Sequence, residues 1–235
     1  MANILNLFKF IESKKKQYRV PLRYKLINNL PLSKEELTVD GNLNLDRTSI
    51  QSLPNNLKVN GSLYLSETPI KSLPDNLTVH GTLDLSHTPI QSLPNNLKVG
   101  GSLNLSNTQI KSLPDNLKVG GHLYLSHTPI QSLPNNLTVK HSIILSRTQI
   151  TSLPDNLKVD GILYLAKSKI KSLPDNLTVT GDLNLSYTKI ESLPDNLTVK
   201  GILDLERTPI SKKYTKEQVI KMIASTGGSV KGIYI

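Results

Sequence analysis

A period of 20 residues runs through most of this chain, and few folds accommodate a repeat so strict. Segments 57–76, 77–96 and 97–116 align without gaps on the pattern L-x-V-x-G-x-L-x-L-S-x-T-x-I-x-S-L-P-[DN]-N. The pattern begins at Leu37 and ends at Ile210, where the ninth copy breaks off. A unit this short cannot bury its apolar side chains alone, so the copies must stack as coils that cover one another's faces. The chain therefore divides into an N-terminal basic cap with an amphipathic helix (1–36), a nine-unit array (37–210) and a C-terminal cap of short helix plus strand (211–235).

Within one unit, Gly61-Ser62-Leu63-Tyr64-Leu65 alternates apolar and polar residues, the period of a half-buried strand. Leu63 and Leu65 point inward on this reading, and Ser62, Tyr64 and Ser66 face solvent. Leu73-Pro74 starts the return path, because proline fixes φ and suits extended backbone. Asp75-Asn76 form a turn, and Leu77 and Val79 return to the interior. Too few residues remain for a helix on the back of each coil. A pentapeptide-repeat β-helix would also have a 20-residue coil, but it needs small or apolar residues at position 58 and its equivalents, which are Lys or Thr throughout.

The run L-x-L-x-x-T-x-I resembles the leucine-rich-repeat signature L-x-L-x-x-N-x-L, with Thr at the Asn position. Leu-Pro at a 20-residue spacing is similar to the short repeats of bacterial type III effectors. The resemblance implies a solenoid with a parallel β-sheet on its concave face and an extended, non-helical convex side. It also implies that the Asn-equivalent side chains bond the backbone of adjacent turns. Thr68, Thr88, Thr108, Thr128, Thr148, Thr188 and Thr208, with Ser168 as the substitution, are the residues expected to form that ladder. Val59 and Gly61 depart from the effector spacing on the convex side.

The two ends of the stack need covers. Ile4, Leu7, Phe8 and Ile11 share one face of a predicted helix. At the other end, Thr215-x-x-Gln218 has the form of a capping box, followed by Val219, Ile220, Met222 and Ile223. Gly227-Gly228 ends that helix, and 230–235 reads as a final strand.

Composition removes several chemistries. There is no cysteine, so disulfides, Cys-based zinc sites and thiol catalysis are excluded together. His80, His87, His122, His127 and His141 form no metal-like spacing on one element, and Asp84 and Asp204 lie too far apart to act as a carboxylate pair. The serines of the repeat have no partner base, and Gly100-Gly101 belongs to the template rather than to a phosphate loop. The sequence thus implies no enzyme, no cofactor and no metal. No stretch reaches the length of an apolar membrane span. Lys14, Lys15 and Lys16 follow the apolar N-terminal stretch, the reverse of a secretory signal. A cytoplasmic location follows, in a host cell if the chain is an effector or viral protein.

The net charge of +10 would suggest an anionic partner, but its distribution matters more. Residues 37–210 hold 15 Lys/Arg against 14 Asp/Glu, while 1–36 hold 8 against 3 and 211–235 hold 5 against 1. One reading follows from the basic end: Lys14, Lys15, Lys16, Arg19, Arg23 and Lys25 would meet nucleic acid or a membrane surface, against the plainer alternative of a solvated cap surface. The stronger reading lies in the departures from the template. The solvent-facing strand position reads Asn44, Tyr64, Asp84, Asn104, Tyr124, Ile144, Tyr164, Asn184, Asp204. Tyr124, Ile144 and Tyr164 fall on consecutive strands, and Ile162 and Ile202 stand two places before that column. Tyr64, Tyr124, Ile144, Ile162 and Tyr164 are therefore the expected contacts for a protein partner. The alternative is a tyrosine ladder that only stabilises cross-strand packing. His141, in place of the template glycine, marks either a specialised coil or drift at a tolerant position.

Overall fold

The computed structural model describes residues 20–155 and 157–235. The predicted helix face of Ile4, Leu7, Phe8 and Ile11 lies outside them. The described N-terminal cap is helix α1 (Leu22–Ile27) and a 3-10 turn (Glu35–Leu37). Leu26 is buried, and Leu22, Ile27 and Leu32 pack against the first coil.

Nine coils follow; the first eight each contribute a two-residue concave strand and the ninth a longer one, all in parallel register with the strand 20 residues away. Leu63 pairs with Leu43 and Leu83, and the same relation continues to Leu203. Strands stay this short because the backbone turns at once. The Thr of each coil folds back to donate from Oγ1 to the carbonyl of the Leu three residues earlier, at 2.7 Å for Thr128 to Leu125. The Leu125 carbonyl lies between the ladder carbonyls of Tyr124 and Ser126, which accept from Leu105 and Asn107, so the Thr128 bond leaves the ladder intact and pins the turn that follows it. The expected ladder between turns is corrected here: Thr68, Thr88, Thr108, Thr128, Thr148, Thr188 and Thr208 all bond within their own coil, as Thr48 also does, and Ser168 accepts the Ile170 N–H of its own coil at 3.5 Å. A hydroxyl on a short branched stem reaches its own turn, whereas a carboxamide is long enough to reach the next. Thr128→Val keeps the shape and deletes the bond inside a site that is 2% exposed. The expected loss is about 1–2 kcal/mol by urea unfolding, because the Leu125 carbonyl is left without that donor.

The interior is a column of Leu, Ile and Val. Leu63, Leu65, Ile70, Leu77 and Val79 of neighbouring coils are all buried, and the equivalents repeat along the stack. The turn at Pro74 closes with Leu77 N–H donating to the Pro74 carbonyl at 3.2 Å, as the Asp-Asn pair predicts.

The convex departure at Val59 and Gly61 has a structural meaning. Val59 lies in a second strand (Lys58–Val59), and such strands from the first six coils form a second parallel sheet. At the turn between the two strands, the glycines stack directly: Gly81 N–H donates to Gly61 at 2.9 Å, and Gly101 to Gly81 at 2.9 Å. A Cβ at Gly101 would sit 2.7 Å from the Gly81 carbonyl carbon, so a side chain forces the coils apart. His141 does this. Among the described residues, neither His141 N–H to Gly121 nor Gly161 N–H to His141 forms, though the ladder resumes from Gly181 to Gly161 at 2.9 Å. The second sheet is broken at the same place, since Thr138–Val139 does not pair with Lys158–Val159. Leu137 is half-buried there, whereas Leu117 and Leu157 in the coils on either side are buried.

At the far end, the strand Thr198–Asp204 pairs both with Leu183–Asn184 of the concave sheet and with Thr178–Val179 behind it, so the last back strands join the concave sheet. Two helices follow, α2 (Pro209–Lys213) and α3 (Lys216–Ser225), each with a capping box, from Thr208 and Thr215. The Thr215–Gln218 box is as predicted, and Val219 and Ile223 are the buried residues of α3. Gly227, at φ +83°, turns the chain into a last strand (Ser229–Tyr234), which adds in parallel to Thr198–Asp204 and covers the stack.

Candidate concave interaction face

Alternation on the concave strand sends Leu inward and the residue between the two Leu outward. The register makes Tyr124, Ile144 and Tyr164 direct neighbours on three successive strands, with rows roughly 4.8 Å apart. Tyr124 and Ile144 are half-buried, while Tyr164 and Ile162 are exposed, at 37% and 39%. These four side chains form one continuous surface. Tyr64 does not join them, because Asp84 and Asn104 occupy the strands between it and Tyr124. Ile202 is likewise separated from Ile162 by Asp182, whose carboxylate accepts the Ile202 N–H.

The chemistry of the strand column changes at this patch. Asn44, Asp84, Asn104, Asn184 and Asp204 each accept a backbone N–H two residues on, at 2.9–3.1 Å. Tyr124, Ile144 and Tyr164 carry no acceptor that does this. The central coils thus give up a turn-stabilising hydrogen bond in exchange for apolar area, a local loss that packing alone does not require.

His122 borders the patch. Its ring lies 5.9 Å from that of Tyr124 and 5.2 Å from that of His141. Its Nδ1 accepts the Ser142 N–H at 3.3 Å, which places the ring proton on Nε2. The His141 position is not a tolerant one, given the glycine stacking around it. Among the described residues, no group of three or more His, Asp or Glu could hold a metal ion.

A further row of side chains lies beside the strand column and does not stand out from the strand pattern alone. The residue after the Ser column reads Arg47, Glu67, His87, Asn107, His127, Arg147, Lys167, Tyr187, Arg207. All nine stand in left-handed backbone, φ 55° to 59°, on the edge of the concave face. Tyr187 is 43% exposed and sits between Lys167 Nζ at 5.0 Å and the Arg207 guanidinium at 5.3 Å from its ring. Arg47 grips Glu67 at 2.8 Å, and this hydrogen bond holds the Glu67 carboxyl below its ordinary range. The row's signal in the sequence is a variable column, one of three that carry six residue types over nine coils.

The basic N-terminal cluster is only partly described. Lys14, Lys15, Lys16 and Arg19 lie outside the described residues. Arg23 is exposed on α1. Lys25 is corrected: it is 7% exposed and pairs with Glu36 at 2.8 Å, so its charge is spent inside the cap. Among the described residues, no helix is long and apolar enough to cross a membrane.

No protein-family model and no curated protein sequence matches the chain. Its fold does match solved structures. A leucine-rich-repeat domain of a Shigella effector superimposes at TM-score 0.51 with 20% identity, over 100% of this chain and 97% of that one. YopM, a leucine-rich effector protein from Yersinia pestis, superimposes at TM-score 0.50 with 18% identity, over 78% of this chain. A leucine-rich repeat protein from Bacteroides thetaiotaomicron matches at TM-score 0.49 with 18% identity, over 72% of this chain. The chain spans 63% of the Yersinia protein and 25% of the Bacteroides protein. With its 20-residue coils, continuous parallel concave sheet and non-helical back, the chain has the leucine-rich-repeat fold.

Proposed function

We propose that the chain is a non-catalytic interaction scaffold that binds a protein partner through the concave face, centred on the coils of Tyr124, Ile144 and Tyr164. The observation that supports this most is the register of those three side chains, with Ile162 beside them, on a face where five other coils carry hydrogen-bonding Asn or Asp. A rigid stack meets its ordering cost on folding, so side chains from several coils are presented together at little further entropic loss. Use as an inhibitor or adaptor of a host protein, in the cytoplasm of a cell invaded by a bacterium or virus, fits the effector proteins that share the fold. The nucleic-acid reading is weakened by the burial of Lys25 against Glu36.

Truncating Tyr124, Ile144 and Tyr164 together to Ala should leave a cooperative folder, because these rings lie outside the Leu core. Cross-strand packing worth about 0.2–1 kcal/mol per pair is lost. Binding to a captured partner should weaken at least tenfold in calorimetric titration, while Lys118→Ala on the second sheet leaves it unchanged. Unaltered affinity in the triple variant would move the site elsewhere. Loss of folding would make the column a structural ladder.

A further inference from the structure

We infer that the left-handed row along the edge of the concave face is a second recognition element, and that its middle selects an acidic, apolar-anchored polypeptide segment. The inference rests on the concave-face reading and names the chemistry of its partner.

Two columns of this chain contain residues at positive φ. In the turn after Leu-Pro, those residues are Asn56, Asn116, Asn176 and Asn196, so every one is a type that such backbone accepts readily. On the edge row, His87, Asn107 and His127 are of such types; the other six, Arg47, Glu67, Arg147, Lys167, Tyr187 and Arg207, are long, charged or aromatic, and none is glycine. The same chain thus obeys the conformational preference in one column and overrides it in the other. The flanking Leu, Thr and Ile columns are largely buried and hardly change, and the columns of Asn60 and Ser62 vary as much as this row, so what sets the row apart is its conformation rather than its variety. Long side chains placed against local backbone preference point to a role in what they touch.

What they would touch follows from charge. At the N-terminal end Arg47 is neutralised by Glu67. Further along, Arg147 and Lys167 make no ion pair among the described residues, and His127 precedes them. The outward strand positions of these three coils carry no carboxylate: they are His, Tyr, Ser, Ile and Ala. Tyr187 braces Lys167 from one side and Arg207 from the other, which limits where that ammonium can go. Beside this cationic edge stand Ile144, Ile162 and Tyr164. A segment with Asp or Glu over the edge and Leu or an aromatic residue over the patch satisfies both. A nucleic-acid strand fits less well. Its continuous phosphates would meet Asp182, Asp204 and Glu206 in the next two coils, and aliphatic Ile144 and Ile162 offer bases no stacking partner.

The test uses a displayed library of random peptides selected on the full chain, with a uridine oligonucleotide as a parallel probe. Selected peptides should combine Asp or Glu with Leu, Phe or Trp. Their affinity should fall at least tenfold on Arg147→Glu with Lys167→Glu and weaken with added salt. Lys167→Gly should also bind more weakly while its melting temperature stays level or rises, since glycine suits the left-handed turn. A lower melting temperature in that variant would show that the lysine serves the turn, and would overturn the inference. Peptides without acidic residues, or indifferent to the charge reversal, would also overturn it; if the Tyr124/Ile144/Tyr164 variant still lost them, the concave-face reading would stand. Peptides indifferent to both variants, or no selected peptides at all, would remove both. Tighter binding of the oligonucleotide, abolished by the charge reversal, would assign the edge to phosphate instead.

Discussion

Gly101→His should destabilise the array by about 2–4 kcal/mol, and His141→Gly should stabilise it by about 1 kcal/mol. The glycine at this turn lies against the preceding coil, and a Cβ there falls 2.7–2.9 Å from backbone atoms that cannot swing aside. Overpacking of this kind costs about 1–3 kcal/mol, and each lost backbone bond about 0.5–1.5 kcal/mol more. The native chain already contains the experiment in reverse. At His141 two rungs of the glycine ladder are missing and the second sheet is interrupted. Restoring glycine should recover them in part, a gain measurable by urea unfolding and by slower exchange of the Gly161 amide. No gain from His141→Gly would mean that the gap between the coils has another cause. A chain that keeps a destabilising residue beside Tyr124 and Ile144 is consistent with selection at that coil for something other than stability.

The second large effect belongs to the core. Leu125 is fully buried, and truncation to Ala should remove about 2–5 kcal/mol, by lost transfer energy and by the cavity left in a stack that cannot collapse along its axis. Because each coil touches only its neighbours, the loss should be felt unevenly. Amides of the coils on either side should exchange faster, while those of the strand Ser229–Tyr234 change little. Uniform acceleration from one cap to the other would show instead that the array unfolds as one cooperative block.

Much of this architecture is legible in the sequence, because a solenoid repeats its physics every 20 residues. The inward Leu, Ile and Val, the turn after Leu-Pro and the Thr215 capping box all follow from local rules, and all stand in the structure. What escaped has a common cause. The second sheet depends on how Val59 meets Val79 in the next coil, which no single repeat reveals. The Thr bond within the coil depends on stem length against distance, and the resemblance to Asn-bearing repeats pointed the other way. Tyr64 was grouped with Tyr124 by residue type, but register separates them. Lys25 was grouped with the basic cluster by proximity in sequence, whereas folding of the cap turns it onto Glu36. The left-handed row was visible only as a variable column, since nothing in residue type announces a positive φ when the residues are Arg, Lys and Tyr.

The central claim, that the concave face is the working surface, is tested most directly by placing a photo-activated benzophenone amino acid at one position at a time. Tyr164 and Lys118 are suitable sites, one on the concave patch and one on the second sheet, and irradiation is carried out in extract of the cell in which the chain acts. A discrete adduct from position 164, absent from position 118 and suppressed by unlabelled wild-type chain but not by the Tyr124/Ile144/Tyr164 triple alanine variant, is the result expected. Adducts from position 118 alone, or from both positions alike and unaffected by either competitor, would contradict it.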